Sequence, residues 1–419
     1  MKRWLLLVTC LVLAGCSHEE KVTEESQSME VASEKTEVTL AMYPVGNLGS
    51  VSAFSEIVSG FNQEHDDITV NVEYLSYVDG DDRIEHMIKD GVPLDMVFEG
   101  PERIVANWGR RGLILPINDV LTATPACINE VIAEACKESA DYYMLPVCTT
   151  THCMAVNKDM LEQVGALEFI DPVKRTWTTE NFLRTVELLD AEDKDSLSVY
   201  CTSQAGDQGT RMLVTNMHGG RYANEQHTGY EVSSVENEQA LSELYSTNGI
   251  VFGKDEDGAT ALSKFCSGEY AMTACWNVSQ EISQAATVQF DIYPVSFPTE
   301  DGSPARLDGG IWGFGIFKSD NKRQKACKEF IRYIVSNQDI YNKVVTLSTF
   351  WPTLETSEDL YKNDVIMQEY GLFTSYMGDY YQVTDNWSKA RTAWWQMLQR
   401  VGDGENIDEC MAQFQQEVE

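Results

Sequence analysis

Residues 91–103 read GVPLDMVFEGPER and carry the clearest local signal of a fold. Their centre, Leu94 to Phe98, is a short apolar run typical of a buried strand, and the glycine and proline residues on both sides are typical of turns. Two earlier segments, Glu37–Met42 and Ile68–Tyr74, alternate apolar with polar residues, which predicts two further strands.

Helices are predicted between these strands. Apolar residues recur at helical spacing from Val51 to Phe61, and Arg83 to Lys89 suits a second helix. Because strand and helix alternate, we predict an α/β fold with a mainly parallel sheet and helices on both faces. In such sheets ligands bind beyond the carboxyl ends of the strands, so the residues that follow each strand are the first candidates for a binding site.

The N-terminal segment has the features of a bacterial lipoprotein signal in the expected order. Two basic residues precede an apolar run, Trp4 to Leu13, which is too short to span a bilayer. The run ends in Leu13-Ala14-Gly15-Cys16, which resembles a lipobox. We therefore predict a signal peptide at residues 1–15 and a diacylglycerol on Cys16, with an ordinary secretory signal and a chance cysteine as the alternative.

Residues 16–36 are predicted to form a flexible tether, because they are rich in Glu, Ser and Thr and poor in large apolar side chains. Such a segment buries too little surface to offset the entropy lost on ordering. The mature protein is therefore expected to lie outside the cytoplasm, anchored by lipid to the bacterial cell membrane.

The charge of the chain bounds its partners. The sequence has 31 Lys and Arg against 66 Asp and Glu, a formal net charge of −35. This balance argues against nucleic acid and anionic lipid surfaces as partners. Its simplest meaning is solubility, and it does not select a cationic ligand.

The cysteine count excludes a complete disulfide framework. There are 11 cysteines, and setting aside Cys10 in the signal and Cys16 leaves an odd number. No CxxC motif is present, which removes support for zinc-ribbon and thioredoxin-type sites. A Cys148–Cys153 or Cys127–Cys136 pair is conceivable, but buried free thiols are the preferred interpretation.

Motifs for catalysis are missing. The sequence contains no GxSxG, HExxH or Walker A motif, and its scattered histidines give no metal-ligand spacing, so we predict no enzyme, cofactor or metal site. Acidic pairs are abundant, so a two-carboxylate glycan hydrolase remains the alternative class of protein.

Six stretches in order resemble the extracellular solute-binding protein family 1, the relatives of maltodextrin-binding protein. They are Phe54–Tyr74, Gly91–Phe98, Gly112–Ile117, Met144–Leu161, Thr176–Phe182 and Phe265–Thr273. The chain departs from the family pattern at Glu99, where an aromatic residue is frequent, at Val156, where tyrosine is usual, and at Cys275-Trp276, which directly follow the last stretch.

The resemblance implies a periplasmic-binding-protein-like fold with two α/β lobes and a ligand cleft between them. Transferred by position, the N-terminal lobe comprises 37–149 plus 276–330, and the C-terminal lobe 150–275 plus 331–419. It also implies a monomer that closes by hinge motion on a carbohydrate, an oligosaccharide by preference, and presents it to the permease of an ABC transporter. A peptide, a polyamine or another polar metabolite remains the alternative solute.

Candidate ligand-binding residues follow from sugar chemistry. A sugar needs flat aromatic faces for its C–H surfaces and groups that make paired hydrogen bonds to its hydroxyls. For stacking we favour Trp276, near a predicted chain crossing, and Trp387, which the resemblance aligns with a stacking tryptophan. Trp312 and Trp351 lie in loops and fit a binding role or a core role equally.

The polar candidates lie where predicted strands end. Tyr43 follows the first strand, and Glu99, Glu102 and Arg103 follow the third. Asp308 precedes Gly309-Gly310, whose missing side chains permit a close backbone approach. Arg211 is a weaker candidate and is interpreted as a solvated surface charge.

Overall fold

The computed structural model describes residues 35–49, 51–76, 79–122, 124–128, 130–226, 228–356, 359–378 and 386–419. The predicted signal peptide, Cys16 and most of the predicted tether lie outside these residues. Within the described part of the chain, no helix is long and apolar enough to cross a membrane.

The N-terminal lobe is built on a six-stranded sheet. In spatial order its strands are Trp351–Pro352, Leu145–Thr151, Gly309–Ile316, Met96–Glu99, Thr36–Met42 and Ile68–Tyr74. Thr36–Met42 is parallel to both of its neighbours, whereas the other three pairings are antiparallel. The three strands predicted from alternation and apolar runs are confirmed, but the expectation of a mainly parallel sheet is wrong for this lobe.

Helices cover this sheet. They are Val51–Glu64, Gly80–Asp90, Pro101–Arg103, a π-helix at Ile104–Gly109, Asn118–Leu121, Glu130–Ala135, Asn321–Ser336 and Gln338–Ser348. Between the sheet and Asn321–Ser336, the buried Asp95 accepts hydrogen bonds from Arg323 Nε at 2.7 Å and from the backbone N–H of Thr39 at 2.9 Å. This ion pair ties the late helix to the first strands of the chain.

The C-terminal lobe contains a three-stranded sheet in which Cys153–Asn157 lies between Met272–Trp276 and Ile292–Val295. Both pairings are antiparallel, which again differs from the predicted parallel sheet. A separate parallel pair joins Leu197–Tyr200 to Ile250–Gly253. The helices of the C-terminal lobe are Lys158–Gln163, Thr179–Asp190, Asp207–Met217, Val235–Ser246, Gly258–Cys266, Val278–Gln284, Val365–Thr374, Trp387–Gly402 and Ile407–Val418.

Strand pairing locates the chain crossings. The chain leaves the six-stranded sheet after Thr151 and enters the three-stranded sheet at Cys153, close to the predicted boundary at 149. Residues 276–295 belong with the three-stranded sheet, and 309–352 return to the six-stranded sheet. These pairings differ from the predicted boundaries at 275 and 330, because the late strands add to sheets formed by earlier parts of the chain.

The thiols pack as small apolar groups. The nine cysteines in the described part of the chain are all free, and eight of them are buried. Burial raises the pKa of Cys148 and of Cys275 to about 12, so both stay protonated at neutral pH.

Candidate functional site

Two adjoining cavities separate the walls of the two lobes, and we call them together the cleft. Their volumes are about 770 and 1140 Å³, and both are lined by Glu102, Ala106 and Arg110. The larger cavity is also lined by Asp81 and Arg103 from the N-terminal lobe and by Gln204, Trp387, Lys389 and Arg391 from the C-terminal lobe. The smaller one is also lined by Arg221 and Arg306.

The predicted residues after the first and third strands form one network on the N-terminal wall. Arg103 donates from Nε to Asp81 Oδ1 at 2.7 Å and from Nη1 to Glu99 Oε1 at 2.8 Å and Glu102 Oε1 at 3.1 Å. The Tyr43 hydroxyl donates to the same Asp81 oxygen at 2.5 Å. The structure therefore brings Tyr43, Glu99, Glu102 and Arg103 together and adds Asp81, which the sequence interpretation missed.

Electrostatics in this network favour the charged guanidinium. Burial alone would lower the pKa of Arg103, but the surrounding carboxylates of Glu99, Glu102 and Asp81 outweigh it and hold that pKa above its usual value. Burial, together with Asp81, raises the pKa of Tyr43, so its hydroxyl remains a donor. Of this network, Asp81, Glu102 and Arg103 line the cleft, whereas Tyr43 and Glu99 are buried behind them and hold Asp81 and Arg103 in place.

A π-helix shapes the centre of the cleft. At the end of the π-helix Ile104–Gly109, the backbone N–H of Arg110 donates to the carbonyl of Val105 at 3.1 Å. This hydrogen bond spans five residues, as is characteristic of a π-helix. π-turns occur frequently at functional sites because the extra residue redirects the side chains that follow. Here the turn precedes Arg110, whose Nε donates to Glu138 at 2.8 Å beside the smaller cavity.

Charge is balanced along the cleft although the chain is strongly acidic. The described basic lining residues are Arg103, Arg110, Arg111, Lys137, Arg221, Arg306, Lys389 and Arg391. The described acidic lining residues are Asp81, Asp82, Glu102, Glu130, Glu134, Glu138, Glu225 and Glu417. Against a net charge of −35 for the whole chain, these equal sets make the cleft a polar surface without a dominant sign.

Trp276 does not lie in the cleft. Its side chain is 0% exposed, its ring packs edge-on against Phe265 at 5.5 Å, and its Nε1 donates to the Tyr370 hydroxyl at 2.5 Å. The structure therefore places Trp276 in the hydrophobic core and corrects its predicted stacking role. The strand Met272–Trp276 is buried at every position, so its last residue faces the interior.

Trp312 and Trp351 also lie away from the described lining of the cleft. Trp312 stacks on Phe350 with ring centroids 4.8 Å apart. Trp351 lines a separate cavity of about 290 Å³ and packs against Tyr361. Of the two open interpretations, these contacts favour packing over solute binding for both residues.

Asp308 lies in a buried cluster at a chain crossing. Its Oδ2 is 3.8 Å from Arg211 Nη1, and its carbonyl accepts the backbone N–H of His152 at 3.0 Å. Arg211 is 2% exposed, so its interpretation as a surface charge is wrong. Burial and the nearby Arg211 lower the pKa of His152 to about 4, which keeps this imidazole neutral at physiological pH.

Trp387 is the predicted aromatic residue that does line the cleft. It is half-buried at the first position of the helix Trp387–Gly402, on the C-terminal wall of the larger cavity. In the described residues no cluster of three or more His, Cys, Asp or Glu side chains is arranged to hold a metal ion. The residues that line the cleft can therefore form hydrogen bonds to a solute, and Trp387 can stack against it.

A family model supports this picture. The model of bacterial extracellular solute-binding proteins matches residues 56–374. No curated protein matches the chain significantly in sequence.

Solved structures share the two-lobed fold. An ABC substrate-binding protein from Listeria monocytogenes in complex with cycloalternan is 18% identical, with a TM-score of 0.70 over 91% of this chain and 98% of that chain. The cyclic α-maltosyl-1,6-maltose binding protein from Arthrobacter globiformis is 15% identical, with a TM-score of 0.69 over 92% and 98%. A maltose/maltodextrin-binding domain from Bdellovibrio bacteriovorus bound to maltotriose is 13% identical, with a TM-score of 0.67 over 91% and 98%. At these identities the likeness shows the fold, and the predicted two-lobed α/β class is confirmed.

Proposed function

Because the chain belongs to the bacterial extracellular solute-binding proteins, with residues 56–374 matching the family model, we propose that it captures a carbohydrate in the cleft and delivers it to an ABC importer. The observation that carries this proposal is the charge-balanced polar cleft with an indole ring on its wall. The proposed role of the protein is to bind and release the solute without converting it.

The balanced lining suits an uncharged polyhydroxyl ligand. Carboxylates accept paired hydrogen bonds from neighbouring hydroxyls, and guanidinium groups donate in a fork. A polyamine would favour an excess of carboxylates, whereas the described lining holds acidic and basic residues in equal number. Trp387 adds an apolar face for the C–H surface of a sugar ring.

The size of the cleft favours an oligosaccharide. Pockets for drug-sized ligands have volumes of about 300–1,000 Å³, and the two cavities measure about 770 and 1140 Å³. The three similar proteins named above bind cycloalternan, cyclic α-maltosyl-1,6-maltose and maltotriose, so saccharides are the first solutes to test.

Membership in this family places the chain outside the cytoplasm. The finer proposal is a lipoprotein, processed before Cys16 and held at the membrane by its acyl chains, close to the permease it supplies. The lipobox at Leu13-Ala14-Gly15-Cys16 supports it. A monomer suffices, because both walls of the cleft come from one chain.

A thermal-shift screen of the purified protein tests the proposal. The panel comprises mono- and oligosaccharides, including maltotriose and cycloalternan, with amino acids, peptides and polyamines. A solute at about 100 times its Kd adds about 2.7 kcal/mol to stability, which is readily visible. A shift with one saccharide class, recovered unchanged, supports the receptor. Recovery of cleaved sugar would support the glycan hydrolase instead, and a shift with peptides or polyamines alone would contradict the carbohydrate.

Replacing Trp387 with alanine is expected to weaken binding of that saccharide by about 10- to 100-fold, the loss typical of a central aromatic contact. Isothermal titration calorimetry measures the change in Kd. Tyr245→Ala is the matched control, because Tyr245 is 47% exposed and outside the described lining of the cleft. Equal Kd values for Trp387→Ala and the parent would remove Trp387 from the site.

A further inference from the structure

The indole ring of Trp387 is held by a residue one turn further along its helix. The guanidinium carbon of Arg391 lies 4.4 Å from the centre of the Trp387 ring. Residues four apart are neighbours on a helix surface, so this contact is local and does not depend on a bound solute. A cation over the face of an indole is the strongest of the cation–π pairings in proteins.

The position of Arg391 is in turn fixed by hydrogen bonds to Asp207 and Gln204. Its Nε donates to Asp207 Oδ2 at 2.9 Å, and its Nη2 donates to Asp207 Oδ1 at 2.7 Å and to the carbonyl of Gln204 at 2.6 Å. A bidentate pair of this kind fixes the plane of the guanidinium as well as its position. Lysine has no planar fork and could not reproduce it.

The anchor of this arrangement is buried. Asp207 is 2% exposed at the start of the helix Asp207–Met217. Burial alone would raise its pKa, but Arg391 and Arg211 outweigh that effect and hold the pKa below its usual value. The carboxylate therefore stays charged. A second hydrogen bond, from Gln204 Nε2 to Thr392 Oγ1 at 2.7 Å, joins the segment that precedes Asp207 to the helix of Trp387.

We propose that Arg391 is a positioning residue for solute binding: clamped by Asp207, it holds the indole ring of Trp387 in the orientation that receives the solute. This inference rests on the proposed function, because it assigns the ring to the solute site. Ordering a ring before binding removes an entropic cost that would otherwise weaken the complex. Trp387 is then a rigid part of the cleft wall before the solute arrives.

A double-mutant cycle tests the proposal with the saccharide found in the screen. Arg391→Lys keeps the charge but loses the bidentate clamp, and we expect it to weaken binding about 3- to 10-fold. In a Trp387→Ala background the same change should alter Kd by less than about 2-fold, because no ring remains to be positioned. Arg400→Lys, later on the same helix and outside the described lining of the cleft, is the control and should bind like the parent.

Fluorine NMR gives a readout that needs no solute. The protein is labelled with 5-fluorotryptophan, and the Trp387 resonance is assigned by its loss in Trp387→Phe. In Arg391→Lys this resonance is expected to shift or broaden while the other tryptophan resonances keep their positions. An unchanged resonance would overturn the positioning role even if no saccharide binds, which separates its failure from that of the proposed function. An equal loss of affinity from Arg391→Lys in both backgrounds would also overturn it, since Arg391 would then act on the solute directly.

Discussion

Replacing Trp276 with alanine is expected to lower the free energy of unfolding by about 3–5 kcal/mol, the usual range for a fully buried tryptophan. The indole is 0% exposed and packs against Phe265, so its removal leaves an apolar cavity. Its Nε1 also donates to the Tyr370 hydroxyl, whose own proton is donated to Glu281 Oε2 at 2.9 Å. The substitution therefore removes packing and one end of a chain of two hydrogen bonds.

Urea denaturation followed by circular dichroism measures this loss. Trp276→Phe restores most of the apolar volume without the donor and is expected to recover about half of the lost stability. Trp387→Ala is the matched comparison: as a half-buried residue at the start of a helix, it should cost less than about 1.5 kcal/mol of stability while weakening solute binding. If Trp276→Ala kept its unfolding free energy and lost only affinity, Trp276 would belong to the solute site and its assignment to the core would be wrong.

The first strands could be predicted because their signals are local. Val38, Leu40 and Met42 lie at every second position and are all 0% exposed in the strand Thr36–Met42. The helices predicted at Val51 to Phe61 and at Arg83 to Lys89 are observed as Val51–Glu64 and Gly80–Asp90. In these cases short-range periodicity suffices.

Sheet composition could not be read from local patterns. The strand Gly309–Ile316 inserts antiparallel between Met96–Glu99 and Leu145–Thr151, which lie more than a hundred residues earlier in the chain. Alternating strands and helices suggest parallel neighbours only when consecutive strands are also neighbours in space. The late return of the chain to the first sheet breaks that condition and moves the lobe boundaries.

The candidate site is predictable only in part, because some of its residues follow local signals and others depend on distant segments of the chain. The general rule for ligand sites finds residues that follow strand ends. Glu102 and Arg103 found in this way line the cleft, whereas Tyr43 and Glu99 are buried behind it. Arg110 depends on a π-helix that a regular helical count does not anticipate. Arg211 is buried because Asp207 lies one turn before it and Asp308 approaches from a distant segment, a partnership that sequence spacing alone does not reveal. The predicted stacking role of Trp276 is wrong because an apolar strand that ends in tryptophan has the same sequence pattern whether it borders a cleft or lies in a core.

Replacing Cys16 with serine is expected to abolish lipid attachment completely, because the thiol is the proposed acceptor of the diacylglycerol. Two acyl chains anchor a protein stably, whereas a single chain binds membranes only marginally, at about 0.8 kcal/mol per buried CH₂. Labelling cells with an alkyne-tagged fatty acid measures attachment directly. The parent should incorporate the label, and mass spectrometry should find its mature N-terminus at Cys16.

Cys10→Ser is the matched control, since Cys10 lies in the apolar run Trp4 to Leu13 of the proposed signal and has no role as an acceptor. It should incorporate the label like the parent. Label retained in Cys16→Ser, or absent from the parent, would contradict the lipoprotein assignment and favour an ordinary secretory signal. Solute binding in the cleft does not depend on that result, because a secreted receptor can still reach its permease by diffusion, whereas anchoring keeps it near the membrane where that permease lies.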